Sequence, residues 1–281
     1  MKASIVILFL FFTSITSNAL CVSGNCEDGF GTYVWEDGDM YSGFWKNGKK
    51  HYFGMNFWKG GDFWFGLYKN GERKPGHGIY AWDDGDKENR NNRVYYNEKG
   101  CVSGDCEDGW GVYIWEDGDL YAGSWKNGKQ HYFGAKFWKE GDFFLGLYKE
   151  GKITSNEHGY YVFKSNKSKT HLGPVRYSTT GCVQGDCDNG FGTYIWKNGD
   201  LHTGYWKEGK SHFIAFKFWN EKDFFIGLYK NGERKRRGLY VYEDGDLDIR
   251  NEKVIFNNLT FLKSTQNIEI ENGGNQAAPQ N

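Results

Sequence analysis

Residues 21–49 read C-V-S-G-N-C-E-D-G-F-G-T-Y-V-W-E-D-G-D-M-Y-S-G-F-W-K-N-G-K. Close copies start at Cys101, 80 residues further on, and at Cys182, 81 residues beyond that. Self-similarity at a fixed spacing means stacked structural units, and such arrays work as surfaces. Within the stretch, Thr32–Trp35 is β-branched and aromatic, which suits a pleated strand. Glu36-Asp37-Gly38-Asp39 is a tight turn, Met40–Trp45 is the return strand, and Lys46-Asn47-Gly48-Lys49 is the next turn. Asp-Gly and Asn-Gly between aromatic runs are strong hairpin signals. Two further hairpins follow in the block. One is Met55–Trp58, Lys59–Asp62 and Phe63–Tyr68; the other opens with Gly78–Trp82 and the turn Asp83–Asp86. A strand-like piece closes each block: Arg93–Tyr96, Pro174–Tyr177 and Glu252–Phe256. The reading is about nine hairpins in three blocks, 20–100, 101–181 and 182–262, forming one continuous repeat domain.

The pattern D-G-D-x-Y-x-G-x-W-K-N-G-K, preceded by G-x-G-x-Y, resembles the MORN repeat. It is carried by Gly29–Lys49, Gly109–Lys129 and Gly190–Lys210. The chain departs from it where Tyr52, Tyr132 and Phe213 replace the first glycine of the second unit. Ala215 stands in place of Gly54 and Gly134, and His202 in place of Tyr41 and Tyr121. The resemblance implies an all-β, elongated, single-layer antiparallel sheet of stacked β-hairpins. It also implies scaffolding, protein–protein contact and membrane association, with no catalytic activity of the repeats themselves.

The 281 residues include 40 Gly and only 3 Pro, with 19% aromatics and a formal net charge of −1. That charge gives no gross basic footprint for nucleic acid. Low Leu, Ile and Val usage in the repeats predicts a thin sheet without a thick core, its burial supplied by aromatic rings. Met1–Ala19 reads as a secretory leader: Lys2, an apolar run Ile5–Phe12, then Ser17-Asn18-Ala19. The chain is therefore expected to be exported: periplasmic, cell-surface or extracellular. Cys21 as a lipid anchor is the weaker alternative, because bulky Leu20 precedes it and Cys101 and Cys182 are its counterparts. An even cysteine count in an exported chain suggests disulfides. Neighbouring blocks of a ribbon lie about six strands, roughly 29 Å, apart, and a disulfide needs Cα atoms within about 7 Å. The favoured pairs are local: Cys21–Cys26, Cys101–Cys106 and Cys182–Cys187. The polar tail 263–281 is expected to be disordered. Asn166-Lys167-Ser168 and Asn258-Leu259-Thr260 are glycosylation sequons.

No nucleophile elbow, P-loop, dinucleotide fingerprint or kinase signature is present, so no enzyme and no cofactor is expected. His51, His131 and His212 are repeat-equivalent and read as turn residues, and the E-D-G-D turns offer too few oxygens for calcium. No metal site is assigned. Two surfaces remain as candidates. The first is an aromatic face of Tyr41, Trp45, Tyr121, Trp125 and Trp206, with His202 in the same row. These residues alternate with glycine on one face of a strand. The face is either the core of a thin sheet or a groove for an extended glycan or peptide. The second is a basic edge, opposite the acidic tips. It comprises Lys46, Lys49, Lys50, Arg73, Lys74, Lys126, Lys129, Lys207, Lys210, Arg234, Lys235, Arg236 and Arg237, and its charge suits an anionic lipid surface or side-by-side pairing of ribbons. The expected function is an exported, non-enzymatic scaffold engaging a protein partner, itself or a membrane surface, with a glycan or cell-wall ligand as the alternative.

Overall fold

The computed structural model describes residues 20–251, except 74–75, 154–157, 166, 173–176, 221–222, 243 and 245. The leader, the tail, both sequon asparagines, Lys74 and the pieces 174–176 and 252–256 lie outside the described residues.

The first block is an antiparallel meander of β1 (Leu20–Gly24), β2 (Gly29–Val34), β3 (Met40–Lys46), β4 (Lys49–Phe57), β5 (Phe63–Tyr68), β6 (His77–Ala81) and β7 (Lys87–Asn91), paired in sequence order. The second and third blocks repeat this order over Gly100–Leu172 and Gly181–Asn251. The all-β hairpin array in three blocks is as the sequence reads. The first strand of each block is the disulfide segment itself, and the closing strand is Lys87–Asn91 in place of Arg93–Tyr96. Arg93–Tyr96 is irregular because it carries a plug. Tyr96 lies in the core, packs at a tilt against Tyr52 at 5.2 Å and donates to the Tyr68 carbonyl at 2.6 Å.

The ribbon does not continue from block to block. There are three sheets of seven, eight and seven strands, and the inner faces of all three contribute to one hydrophobic cluster. Phe30, Trp110 and Phe191 are repeat-equivalent, and their ring centroids meet at 5.1, 4.6 and 4.7 Å. Phe133 stacks on Phe216 at 3.8 Å. The expectation of no thick core is therefore corrected. Phenylalanines such as Phe53, Phe57, Phe63 and Phe65 fill the inward positions that Leu, Ile and Val usually take. The block spacing of a straight ribbon fails for the same reason.

Equivalent residues seal the contacts between sheets. His77 of the first block meets the Gly141 carbonyl of the second at 3.1 Å. His158 of the second lies 5.2 Å from Phe218 of the third. In the third block this position is Arg237, which donates to the carbonyls of Trp58 and Asp62 in the first. Arg237 is thus not on a basic edge. It is 1% exposed, with its pKa lowered to about 10 by burial. Arg237→Ala removes the guanidinium hydrogen bonds between the third and first sheets and leaves a cavity there, although both carbonyls keep backbone donors, from Gly61 and Trp58, and we expect a loss of about 3 kcal/mol. Arg237→His, which copies the other two positions, should cost under about 1 kcal/mol. Urea midpoints of the two variants check this.

A row of glycines crosses each sheet: Gly31, Gly43, Gly54, Gly66 and Gly78 pair in register through β2–β6. The row gives the outer-face rings a bed. A Cβ on Gly54 would lie 2.2 Å from the Tyr41 hydroxyl, and one on Gly66 would lie 2.5 Å from the Trp64 ring. Tyr52, Tyr132 and Phe213, the residues that replace a repeat glycine, keep its left-handed backbone, with φ of 54°, 50° and 52°. That conformation costs roughly 1–2 kcal/mol for a residue with a Cβ, and burial of the ring in the shared core offsets it.

All three local disulfides are formed. Each ties the first strand to a loop that docks on the K-N-G-K turn, or on K-E-G-K in the third block. Asp28 accepts the Asn47 N–H at 2.9 Å and the Glu27 carbonyl accepts the Gly48 N–H at 3.0 Å. A cross-link between residues five apart restricts the unfolded chain by about 2 kcal/mol. We expect Cys101→Ala with Cys106→Ala to lower stability by about that amount while leaving the sheet folded, as read by circular dichroism and urea titration.

Candidate binding face on the outer side of each sheet

Alternate residues of β2–β6 point away from the shared core and build a separate aromatic cluster on each sheet. The predicted aromatic face lies at the floor of these layers. Tyr41 and Tyr121 are 0% exposed, and Trp45, Trp125 and Trp206 are 5% exposed. Their polar atoms are used internally. Tyr41 donates to the Phe44 carbonyl at 2.9 Å, and the indoles of Trp45, Trp125 and Trp206 donate to the carbonyls of Gly31, Gly111 and Gly192 at 3.0–3.2 Å. The row packs against its own glycines and leaves no groove. His202, in the tyrosine position, is buried with Nε2 lacking a hydrogen-bond partner, and burial holds its pKa at about 3.

Above the floor stands a second aromatic row, half-buried, that the sequence reading passed over. It is Trp35, Trp58 and Trp82 in the first block; Trp115, Trp138 and the more exposed Phe163 in the second; and Trp196, Trp219 and Tyr242 in the third. Each starts a tip turn, and its N–H bonds the carbonyl of the residue four positions on, as Trp35 does to Asp39 at 2.9 Å. The signal was available: an aromatic four residues before Asp opens eight of the nine tips, the exception being Phe163 before Lys167. The rings are held in place. Trp35, Trp115 and Trp196 lean on Tyr33, Tyr113 and Tyr194 at 4.7–4.9 Å. Trp58, Trp138 and Trp219 lie on Tyr80, Tyr161 and Tyr240 at 5.3–5.8 Å.

A cation sits over the first ring of each row. In the first block it is Lys50 over Trp35 at 4.4 Å, with Asn56 as its acceptor. In the other blocks it comes from the position of that asparagine: Lys136 over Trp115 at 4.6 Å and Lys217 over Trp196 at 3.5 Å. Gln130 and Ser211 then occupy the Lys50 position. Lys136 and Lys217 reach Asp119 and Asp200 at 3.5 and 3.3 Å. Burial lowers the Lys50 pKa to about 8 and lowers that of Lys217, while Asp39 and Asp200 oppose the shifts. Arg73 lies over Trp58 and Tyr80 at 5.0 and 4.7 Å, and Arg234 over Trp219 and Tyr240 at 5.2 and 4.8 Å.

Lys50, Arg73 and Arg234 thus belong to the aromatic face and not to the edge. The rest of the predicted edge divides. Lys46, Lys49, Lys126, Lys129, Lys207 and Lys210 flank the K-N-G-K turns. Lys46 pairs with Glu98 at 2.7 Å and Lys235 with Glu233 at 2.6 Å. Lys49, Lys129, Lys210 and Arg236 are exposed. The disulfide loops set Glu27, Asp28, Glu107 and Asp108 among these turns, which mixes the sign of the edge.

The acidic tips are structural as well. Asp39 accepts the Lys59 N–H at 2.7 Å, and Asp62 accepts the Asp83 N–H at 3.0 Å and the Tyr80 hydroxyl. Asp39, Asp62, Asp119, Asp142 and Asp200 so fasten their tips to the next one in the block. Among the described residues no group of His, Cys, Asp or Glu is placed to hold a metal ion, and no helix is long and apolar enough to cross a membrane. A cavity of about 20 Å³ between Leu67, Val94, Leu120 and Phe137 has room for a single water.

A family model described as MORN repeat matches residues 27–40, 41–51, 65–87, 107–120, 121–143, 189–201 and 225–247. No curated protein matches the chain. Solved structures with some likeness include the wild-type TCP10 domain of CPAP from Danio rerio, at 8% identity and TM-score 0.14 over 79% of this chain and 89% of that one. The same domain in complex with a peptide of Danio rerio STIL gives 11% identity and TM-score 0.15, over 83% and 99%. Selenomethionine-substituted virginiamycin B lyase from Staphylococcus aureus gives 9% and 0.14, over 85% and 88%. Likenesses of that size carry no argument.

Proposed function

Because the chain is a MORN-repeat protein, we propose that it is an exported, non-catalytic scaffold that holds a protein partner on the outer faces of its three sheets. MORN repeats support a scaffold or binding role, and proteins of this kind are generally non-enzymatic. The observation that carries the finer reading is the outer aromatic row. The floor aromatics and the tip aspartates bond within the fold, whereas the row above them is rigid, half-exposed and repeated on every block. Three disulfides suit an oxidising, exported environment.

The second reading, an anionic membrane surface, has the exposed Lys49, Lys129, Lys210 and Arg236 in its favour. The carboxylates beside the K-N-G-K turns weaken it. The test is cross-linking of the tagged mature chain in its native compartment, beside flotation with anionic vesicles. A protein cross-link lost with Trp58→Ala, Trp138→Ala and Trp219→Ala supports the scaffold. Salt-sensitive flotation lost with Lys49→Glu, Lys129→Glu and Lys210→Glu, with no protein cross-link, replaces it with the membrane reading.

A further inference from the structure

We propose that the outer row of each sheet is a docking strip for an extended, acidic, proline-rich segment of a partner protein in the polyproline II conformation. The inference rests on the scaffold reading and names the class of partner.

Three features point to that chemistry. The first is the period. Successive rings of a row stand on tips two strands apart, ~9.6 Å at the usual strand spacing. The shared lysine sets the same limit: Lys136 lies 4.6 Å from Trp115 and 5.3 Å from Trp138, so those rings are at most about 10 Å apart. A polyproline II helix repeats every three residues, ~9.3 Å, so prolines three apart fall on successive rings.

The second is hydrogen bonding. Among the described residues, the indole N–H groups of Trp35, Trp58, Trp82, Trp115, Trp138, Trp196 and Trp219 make no hydrogen bond, and none is a buried unpaired atom. A polyproline II segment has no internal hydrogen bonds and offers its carbonyls as acceptors. Aromatic-lined surfaces recognise it through ring stacking and such donors.

The third is charge. Arg73 and Arg234 occupy equivalent places over the second ring, and neither has a carboxylate within ion-pair distance among the described residues. Beside Tyr80, Nη1 of Arg73 has no hydrogen-bond partner among the described residues. A carboxylate between the prolines complements these guanidiniums. Because the rings are already fixed by their tyrosine and lysine contacts, little side-chain freedom is lost on docking.

The test uses the mature disulfide-bonded chain and a short peptide of repeated Pro-Pro-Glu triplets. A Gly-Ser-Glu peptide of equal length and charge is the control, and an acidic oligogalacturonate is the carbohydrate arm. The readout is indole N–H resonances in nitrogen-edited NMR. We expect the Pro-Pro-Glu peptide to move the signals of Trp35, Trp58, Trp115, Trp138, Trp196 and Trp219, leaving Trp45, Trp125 and Trp206 in place. The control should bind roughly ten-fold more weakly, and Trp58→Ala or Arg73→Gln should weaken binding at the first block by a similar factor. The unmoved signals of Trp45, Trp125 and Trp206 report that each variant is folded. Equal binding of both peptides, no movement of the outer indoles, or movement with the oligogalacturonate alone would overturn the proposal. A protein cross-link that survives loss of the outer tryptophans would overturn it too, while leaving a scaffold that works through another surface.

Discussion

Gly134→Ala is expected to lower stability by about 3 kcal/mol, and adding Tyr121→His should recover most of that loss. A Cβ on Gly134 would lie 2.2 Å from the Tyr121 hydroxyl and 2.3 Å from its ring. The ring cannot withdraw, because its hydroxyl is bonded to the Ser124 carbonyl at 3.0 Å and it is packed on Trp125 and Tyr148 at 5.1 and 5.0 Å. Overpacking a filled site of this kind typically costs 1–3 kcal/mol. The third block supplies the compensation: where the first two pair Tyr with Gly, it pairs His202 with Ala215, and the shorter ring leaves room for the methyl group. Recovery should stop short of complete, because His202 carries a buried Nε2 without a partner. Urea midpoints of the two single variants and the double variant decide it. A double variant no more stable than Gly134→Ala would show that the Tyr–Gly contact is not what the alanine disrupts.

The second large effect is on pH. His51, His131 and His212 each accept a backbone N–H on Nδ1, from Asn70, Glu150 and Asn231, at 3.1, 3.2 and 3.2 Å. Protonation would place a second hydrogen against that amide. Burial foremost, then nearby lysines, holds all three at a pKa of about 4. His77 is also held at about 4, and His202 at about 3, both chiefly by burial. An unfolded histidine titrates near 6.5. The folded values lie below it, so between these limits the unfolded chain binds more protons, and stability rises with pH. Stability should be flat between about pH 6.5 and about pH 8, where Lys50 begins to titrate, and fall by several kcal/mol towards about pH 4, each such histidine contributing up to about 1.4 kcal/mol per pH unit. Urea midpoints at about pH 7 and about pH 4.5 measure the fall. In His131→Gln, whose side-chain carbonyl can accept the same N–H without titrating, the fall should be smaller by one histidine's share. Equal midpoints at both pH values would contradict the buried-neutral assignment.

Much of the fold is legible in local signals. The Asp-Gly and Asn-Gly turns place the hairpins because they depend on residues near in sequence; the local disulfides form as expected, although the straight-ribbon block spacing that favoured them does not hold. The association of three sheets is not legible that way. It depends on which strand face is turned inward over a whole block. Phe53, Phe57, Phe63 and Phe65 read equally well as the surface of a thin ribbon and as the wall of a shared core. Arg237 shows the same difficulty at one residue. Beside Arg234, Lys235 and Arg236 it reads as part of a basic run, yet strand alternation and a bulge between Gly227 and Tyr229 send it inward. At the candidate site, the most regular aromatics, Tyr41 and Trp45, drew the functional reading because they match the repeat. Their regularity reflects the glycine bed beneath them, a packing requirement that every copy must meet. The outer row was hidden by its place at the strand–turn junction, where an aromatic reads as the end of a strand.

The division between these two sets of tryptophans is the central claim, and indole N–H exchange in deuterated buffer tests it most directly. Trp45, Trp125 and Trp206, bonded to glycine carbonyls beneath the outer row, should exchange only when their block opens, far more slowly than Trp35, Trp58, Trp115, Trp138, Trp196 and Trp219. Comparable rates for the two sets, or slower exchange of the outer one, would contradict the account.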